Sequence, residues 1–258
     1  MELWYSLVEL LPFDWAQPGG MYFMKNALLA VLVISPLFGI LSTMVVHSRM
    51  SFFSDALGHS AFTGMAIGAI CGFNEPTWAA VIFALVFALL FNLVRRRSAL
   101  ASDTVIGVFS SCGVALGLVL LSRGGGFAKY QSLLIGDILS ISAPELIALA
   151  VTLAAVAVVW LLCFNQLHAV SISPALARSK GIPVGWLDNL FVVIIAVVVM
   201  LAIQWVGLLI INAMLILPAA AARNVAGSMR SYHLLALIFG LFSGVLGLFL
   251  SYFNAVAA

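Results

Sequence analysis

Long apolar runs, separated by short breaks that carry charge, proline or glycine, fill this chain from end to end. A helix crossing about 30 Å of hydrocarbon needs roughly 20 mostly apolar residues. Runs of about that length predict some eight spans, near 25–46, 55–73, 76–94, 103–122, 145–164, 188–205, 207–222 and 232–254. The stretch 189–222 is ambiguous, because its 34 residues hold no charge and would reach about 50 Å as one helix at about 1.5 Å per residue. Gln204, Trp205 and Gly207 mark a break there, which makes the second half short. Segment 123–144 is too interrupted to cross and reads as an outer loop followed by a short re-entrant or interfacial helix. Leu3 to Phe13 lacks the basic start of a cleaved signal peptide, since Glu2, Glu9 and Asp14 stand around it. It reads as an amphipathic lead-in helix at the membrane interface.

Composition agrees with this pattern: 64% of residues are hydrophobic and 8% charged, where a soluble domain carries about a quarter charged. No polar block is long enough to fold by itself, so residues 1–258 read as one transmembrane domain, an all-α polytopic helical bundle. The net charge of +2 argues against a nucleic-acid partner. Lys and Arg favour the cytoplasmic side, and with the N-terminus outside, the inner loops hold Arg49, Arg95, Arg96, Arg97, Arg178, Lys180, Arg223 and Arg230. Lys25, Arg123 and Lys129 lie outside, a split of eight to three. Reading 189–222 as one helix would reduce it to six against five, so the charges favour two helices. The single cysteines Cys71, Cys112 and Cys163 read as small packing residues, and Gly64-x3-Gly68-x3-Gly72 and Gly113-x3-Gly117 as faces for close helix approach.

Ionisable residues inside spans cost about 2.5–3.5 kcal/mol at the helix centre on insertion scales. Asp55 and His59 are the leading candidates, because a spacing of four puts a carboxylate and an imidazole one turn apart on one face. Together they offer an oxygen and a nitrogen donor to one ion. The competing reading makes Asp55 an N-cap and His59 a core histidine. His47 and His233 at span ends and His168 in a loop read as solvated or interfacial. Asp103 and Asp188 read as caps or interface anchors, and Asp137 as a turn stabiliser ahead of a role at the outer surface or a gate. In the inner loop 165–187, Ser173, Pro174, Gly181 and Pro183 have the order of a helix start and stop. Ala175, Leu176 and Ile182 would form a small apolar surface beside Arg178 and Lys180, either lying on the membrane or docking a cytoplasmic partner.

Several of these stretches resemble the permeases of metal-uptake ABC transporters of the manganese, zinc and iron type, nearest in pattern to the zinc-uptake members. They are Arg49-Met-Ser-Phe-Phe-Ser-Asp-Ala-Leu-Gly-His-Ser-Ala61, Ser102-Asp-Thr-Val-Ile-Gly107, Leu134-Ile-Gly-Asp-Ile-Leu-Ser140, Ser173 to Pro183 and Val206 to Arg223. Ser54 stands where that family usually has glycine. The resemblance covers roughly 30–250 and implies a binding-protein-dependent importer, multi-pass in a prokaryotic inner membrane, translocating zinc or manganese. Asp55 and His59 would contact the metal, which is cargo and not a permanently bound cofactor. The helix bearing Ala175, Arg178, Gly181 and Ile182 would couple to cytoplasmic ATPase subunits. An extracytoplasmic metal-binding protein would deliver the ion, and two permease copies would pair as a homodimer. Family members commonly add a return helix beyond the position of Ala258, so both termini here are expected outside. The chain has no Gly-x4-Gly-Lys-Ser/Thr phosphate loop and no protease motif, so it is expected to be no enzyme. The alternative is a proton-coupled secondary carrier in which Asp55 and His59 relay protons.

Overall fold

The structure, a computed structural model, describes residues 2–10, 12–73, 76–124 and 135–254. Among the described residues there are α-helices and two 3-10 turns and no strand. The helices are α1 Glu2–Val8, α2 Tyr22–His47, α3 Phe53–Ile70, α4 Pro76–Arg97, α5 Ser102–Gly124, α6 Ala143–Ile172, α7 Pro174–Ser179, α8 Val184–Val206, α9 Leu208–Val225 and α10 Met229–Asn254. Eight of them, α2 to α6 and α8 to α10, correspond to the eight predicted spans. Seven are long and apolar enough to cross a membrane, and α3 is the exception among the eight.

The exception has a physical reason. Helix α3 is about 27 Å long at 1.5 Å per residue and carries Ser54, Asp55, His59, Ser60 and Thr63. It is enclosed by α4, α5, α8 and α9, so most of its polar groups meet protein and not lipid. Ser60 Oγ donates to the Leu57 carbonyl at 2.7 Å and Thr63 Oγ to the Gly113 carbonyl at 2.7 Å. Small residues permit the enclosure: a Cβ on Gly64 would sit 2.6 Å from the Ala80 Cα, so the glycine lets α4 approach at backbone distance.

The break in 189–222 falls at Gly207, between α8 and α9. Near its start, α8 joins the end of α4: Arg95 pairs with Asp188 at 3.5 Å, and Asn92 donates to Asn189 at 2.6 Å. Asp188 is therefore an ion-pair partner and not a helix cap. Arg95 also reaches Met50 Sδ at 2.9 Å, and Arg96 bonds the Gly185 carbonyl. The end of α9 lies near Val46 at the end of α2, where Ala219 and Ala222 cluster with Tyr232 of α10. At the opposite end, Gln204 bonds Thr77 near the start of α4 at 2.7 Å. Helix α8 thus leaves the basic end and α9 returns to it, as the loop charges require.

Three expectations need correction. Helix α6 continues to Ile172, because nothing breaks it before Ser173-Pro174 and Leu167 and Val170 are buried; the expected loop 165–172 is helix. The N-terminal segment is α-helical only over Glu2–Val8 and not to Phe13. It folds onto α2 and α10, burying Val8, Trp15 and Ala16 against Met24, Leu28 and Leu248. Lys25 is fully buried, held by Glu9 at 3.0 Å and by the Gln17 carbonyl at 3.2 Å. A neutralised Lys25 leaves less positive charge on the outer side than a count of loop residues suggests. Of segment 123–144, residues 125–134 lie outside the described ones, and Ile138–Ser140 is a single 3-10 turn whose Leu139 N–H bonds Asp137 at 3.2 Å.

With the basic ends gathered on one side, cysteines placed at Arg96 and Arg178 should be labelled only by membrane-permeant reagents in intact cells. Labelling of either by an impermeant reagent would reverse the orientation.

Candidate functional site

The site begins with the turn that launches α3. Met50 N–H bonds the Val45 carbonyl at 2.9 Å and Arg49 N–H the Val46 carbonyl at 3.2 Å, a Schellman closure of α2. Arg49 occupies the left-handed position with φ 54°, which costs an L-residue roughly 1–2 kcal/mol. Burial of Met50 and Phe53, with Phe53 stacked on Phe91 at 4.6 Å, anchors this turn. Helix α3 starts after Phe52, and no side chain caps it.

Asp55 is therefore not spent on the helix end. Its Oδ2 lies 3.5 Å from His59 Nε2, and its Oδ1 accepts a 3.0 Å hydrogen bond from Asn212 Nδ2 on α9. Asn212 Oδ1 in turn accepts from Ser54 Oγ at 2.7 Å. An ionised carboxylate only accepts and a hydroxyl can donate, so this chain sets the orientation of the Asn212 amide. Tetrahedral zinc bonds of about 2.0–2.2 Å would space two donors roughly 3.3–3.5 Å apart, close to the observed separation of the pair.

Asp55 and His59 keep 37% and 30% of their side-chain surface exposed, and Phe62 continues the same half-open strip of α3. A carboxylate so exposed is too costly to face hydrocarbon. The strip must meet water or a second protein surface. No group of three His, Cys, Asp or Glu able to hold a metal occurs among the described residues; at this strip they bring Asp55 and His59 as the charged and imidazole donors. A cavity of about 530 Å³ lies elsewhere, between α2, α9 and α10, and its lining residues, Ser35, Met214, Pro218 and Phe239 among them, include no ionisable group. It is unsuited to a cation.

His47 ends α2, half-buried, as expected, whereas His168 and His233 are placed differently. His168 is buried within α6, its ring 4.8 Å from that of His233 and packed by Trp160 and Phe164. Both bond the carbonyl four residues earlier through Nδ1, and both Nε2 atoms are buried without a partner.

Helix α7 forms as its sequence directs. Ser173 Oγ accepts from Leu176 N–H at 3.3 Å, and Ile182 N–H bonds the Ala177 carbonyl at 3.0 Å around Gly181 at φ +75°. Ala175, Leu176 and Arg178 are exposed. Ile182 instead packs against the main core, which narrows the expected apolar surface to Ala175 and Leu176.

Asn212 was missed by sequence reasoning, and Ser54 was noticed only as a departure. The available signal was Asn212 itself, the single polar side chain in the run Leu208 to Pro218.

A model of the ABC 3 transport family matches residues 20–258. The manganese import system permease protein ScaB of Streptococcus gordonii is 32% identical over 92% of this chain and 85% of that protein. The high-affinity zinc uptake system membrane protein ZnuB of Haemophilus influenzae is 30% identical over 90% of this chain and 89% of its own. The solved structure of PsaBC from Streptococcus pneumoniae in complex with Fab superposes with a TM-score of 0.77 at 31% identity, covering 100% of this chain and 89% of that one.

Proposed function

The chain belongs to the ABC 3 transport family, whose members are membrane permeases and not enzymes, and from that premise we propose that it carries zinc or manganese inward through the Asp55–His59 pair. The observation that carries this reading is a carboxylate and an imidazole 3.5 Å apart on the half-open strip of an otherwise enclosed helix. Relatives named for manganese import and zinc uptake support the choice of cargo. Two permease copies facing each other along this strip would join two such pairs, making four donors and shielding the exposed carboxylates from lipid. The ion arrives from an external metal-binding protein.

Power comes from ATPase subunits docking at Ala175, Leu176 and Arg178 on α7. The path from there is short in sequence. Helix α7 runs through Gly181 and Ile182 into α8, α8 ends at Gly207, and α9 brings Asn212 to Asp55. A shift of α7 can therefore reach the carboxylate through two helices and one glycine break.

In proteoliposomes holding the permease with its ATPase and binding protein, uptake should require ATP and survive a protonophore. Gly181→Val should reduce transport-linked hydrolysis several-fold with assembly intact, because a β-branched residue resists the left-handed cap. Uptake that needs no ATP and collapses with the proton gradient would establish a secondary carrier instead. Hydrolysis unchanged by Gly181→Val would remove α7 from coupling.

A further inference from the structure

We propose that Ser54 and Asn212 set the metal preference of the site, by occupying one oxygen of Asp55 and so holding the pair to a zinc-type donor set. This rests on the reading of Asp55 and His59 as the ion-contacting pair. Asn212 donates to Oδ1 at 3.0 Å, which leaves Oδ2, 3.5 Å from His59 Nε2, as the oxygen turned toward the imidazole. Asn212 is held in turn by Ser54, whose hydroxyl is buried and donates at 2.7 Å. A glycine at position 54 could not make that bond.

The donor count follows from this geometry. With one lone pair of Oδ1 and its orientation taken up by Asn212, binding through both oxygens is disfavoured; each chain then offers one oxygen and one nitrogen, and two copies four donors, the number tetrahedral zinc takes. With Oδ1 free, Asp55 can bind through both oxygens. Each chain then offers three donors and two copies six, four of them oxygen, which suits the octahedral, oxygen-rich preference of manganese. Asn212 and Ser54 touch no ion themselves. They are positioning residues that act through Asp55.

Any nitrogen and oxygen site ranks zinc above manganese, so the diagnostic quantity is the change in the affinity ratio and not its sign. Equilibrium dialysis of the purified permease–ATPase complex in detergent, without the binding protein, against zinc and manganese chlorides gives that ratio directly. Asn212→Ala should lower the zinc-to-manganese ratio about tenfold or more, the range in which outer partners of metal ligands act. Ser54→Ala should move it several-fold in the same direction, and remains informative if Asn212→Ala fails to assemble. A ratio unchanged in Ser54→Ala, or an equal loss for both metals in either variant, overturns the proposal. Asp55→Asn is the control on the underlying reading: full binding of both metals in that variant would overturn the pair itself, whatever Ser54 and Asn212 do.

Discussion

Asp55→Asn is expected to abolish metal uptake while the protein still inserts and assembles. The substitution preserves shape and can still bond Asn212, and it takes nothing from the start of α3, where Phe52 precedes the helix and no side chain caps it. What it removes is the negative charge that offsets the ion's desolvation in a low-dielectric path. The loss should exceed the 10–100-fold that outer partners of metal ligands typically cost. His59→Gln removes the imidazole with little change in volume and should act in parallel. Uptake of labelled zinc and manganese by cells, normalised to inserted protein, measures both variants. Assembled variants that transport at the wild-type rate would return the pair to a structural role.

Gly207→Ala should destabilise the protein far more than the same change at the open glycine turn of Gly181. Gly207 sits at φ +79°, ψ 154°, a region essentially reserved for glycine, and an occupant forced into such a region costs roughly 1–3 kcal/mol. Space is also denied. A Cβ there would meet the Ile135 carbonyl and lie 2.7 Å from Gly136 N, while one on Gly136, at φ +75°, would run into the Gly207 backbone. The two glycines let the segment before Asp137 lie directly on the junction of α8 and α9. Gly181→Ala supplies the comparison, since Gly181 has φ +75° but a methyl group there would meet nothing within 4 Å. Thermal unfolding in detergent should show a much larger fall in Tm for Gly207→Ala than for Gly181→Ala. Equal falls would mean that Gly136 and Gly207 do not touch.

The sequence by itself determined where helices cross, because a backbone in hydrocarbon must bond internally and each span therefore needs an apolar run of set length. It determined the break at Gly207 through loop charge, and both ends of α7 through Ser173, Pro174 and Gly181, since capping is chemistry between residues at most a few positions apart. It also placed Asp55 and His59 on one face, a consequence of helical period alone. Asn212, 157 positions from Asp55, could not be found this way, nor could Asp188 as the partner of Arg95, the His168–His233 contact or the packing of Val8, Trp15 and Ala16 against α2 and α10. Those depend on which faces the helices present to one another. In a membrane, lipid and apolar side chains are nearly equivalent surroundings, so hydropathy identifies a span but not its neighbour. The packing of α3 among α4, α5, α8 and α9 made that choice, and with it decided which oxygen of Asp55 meets Asn212.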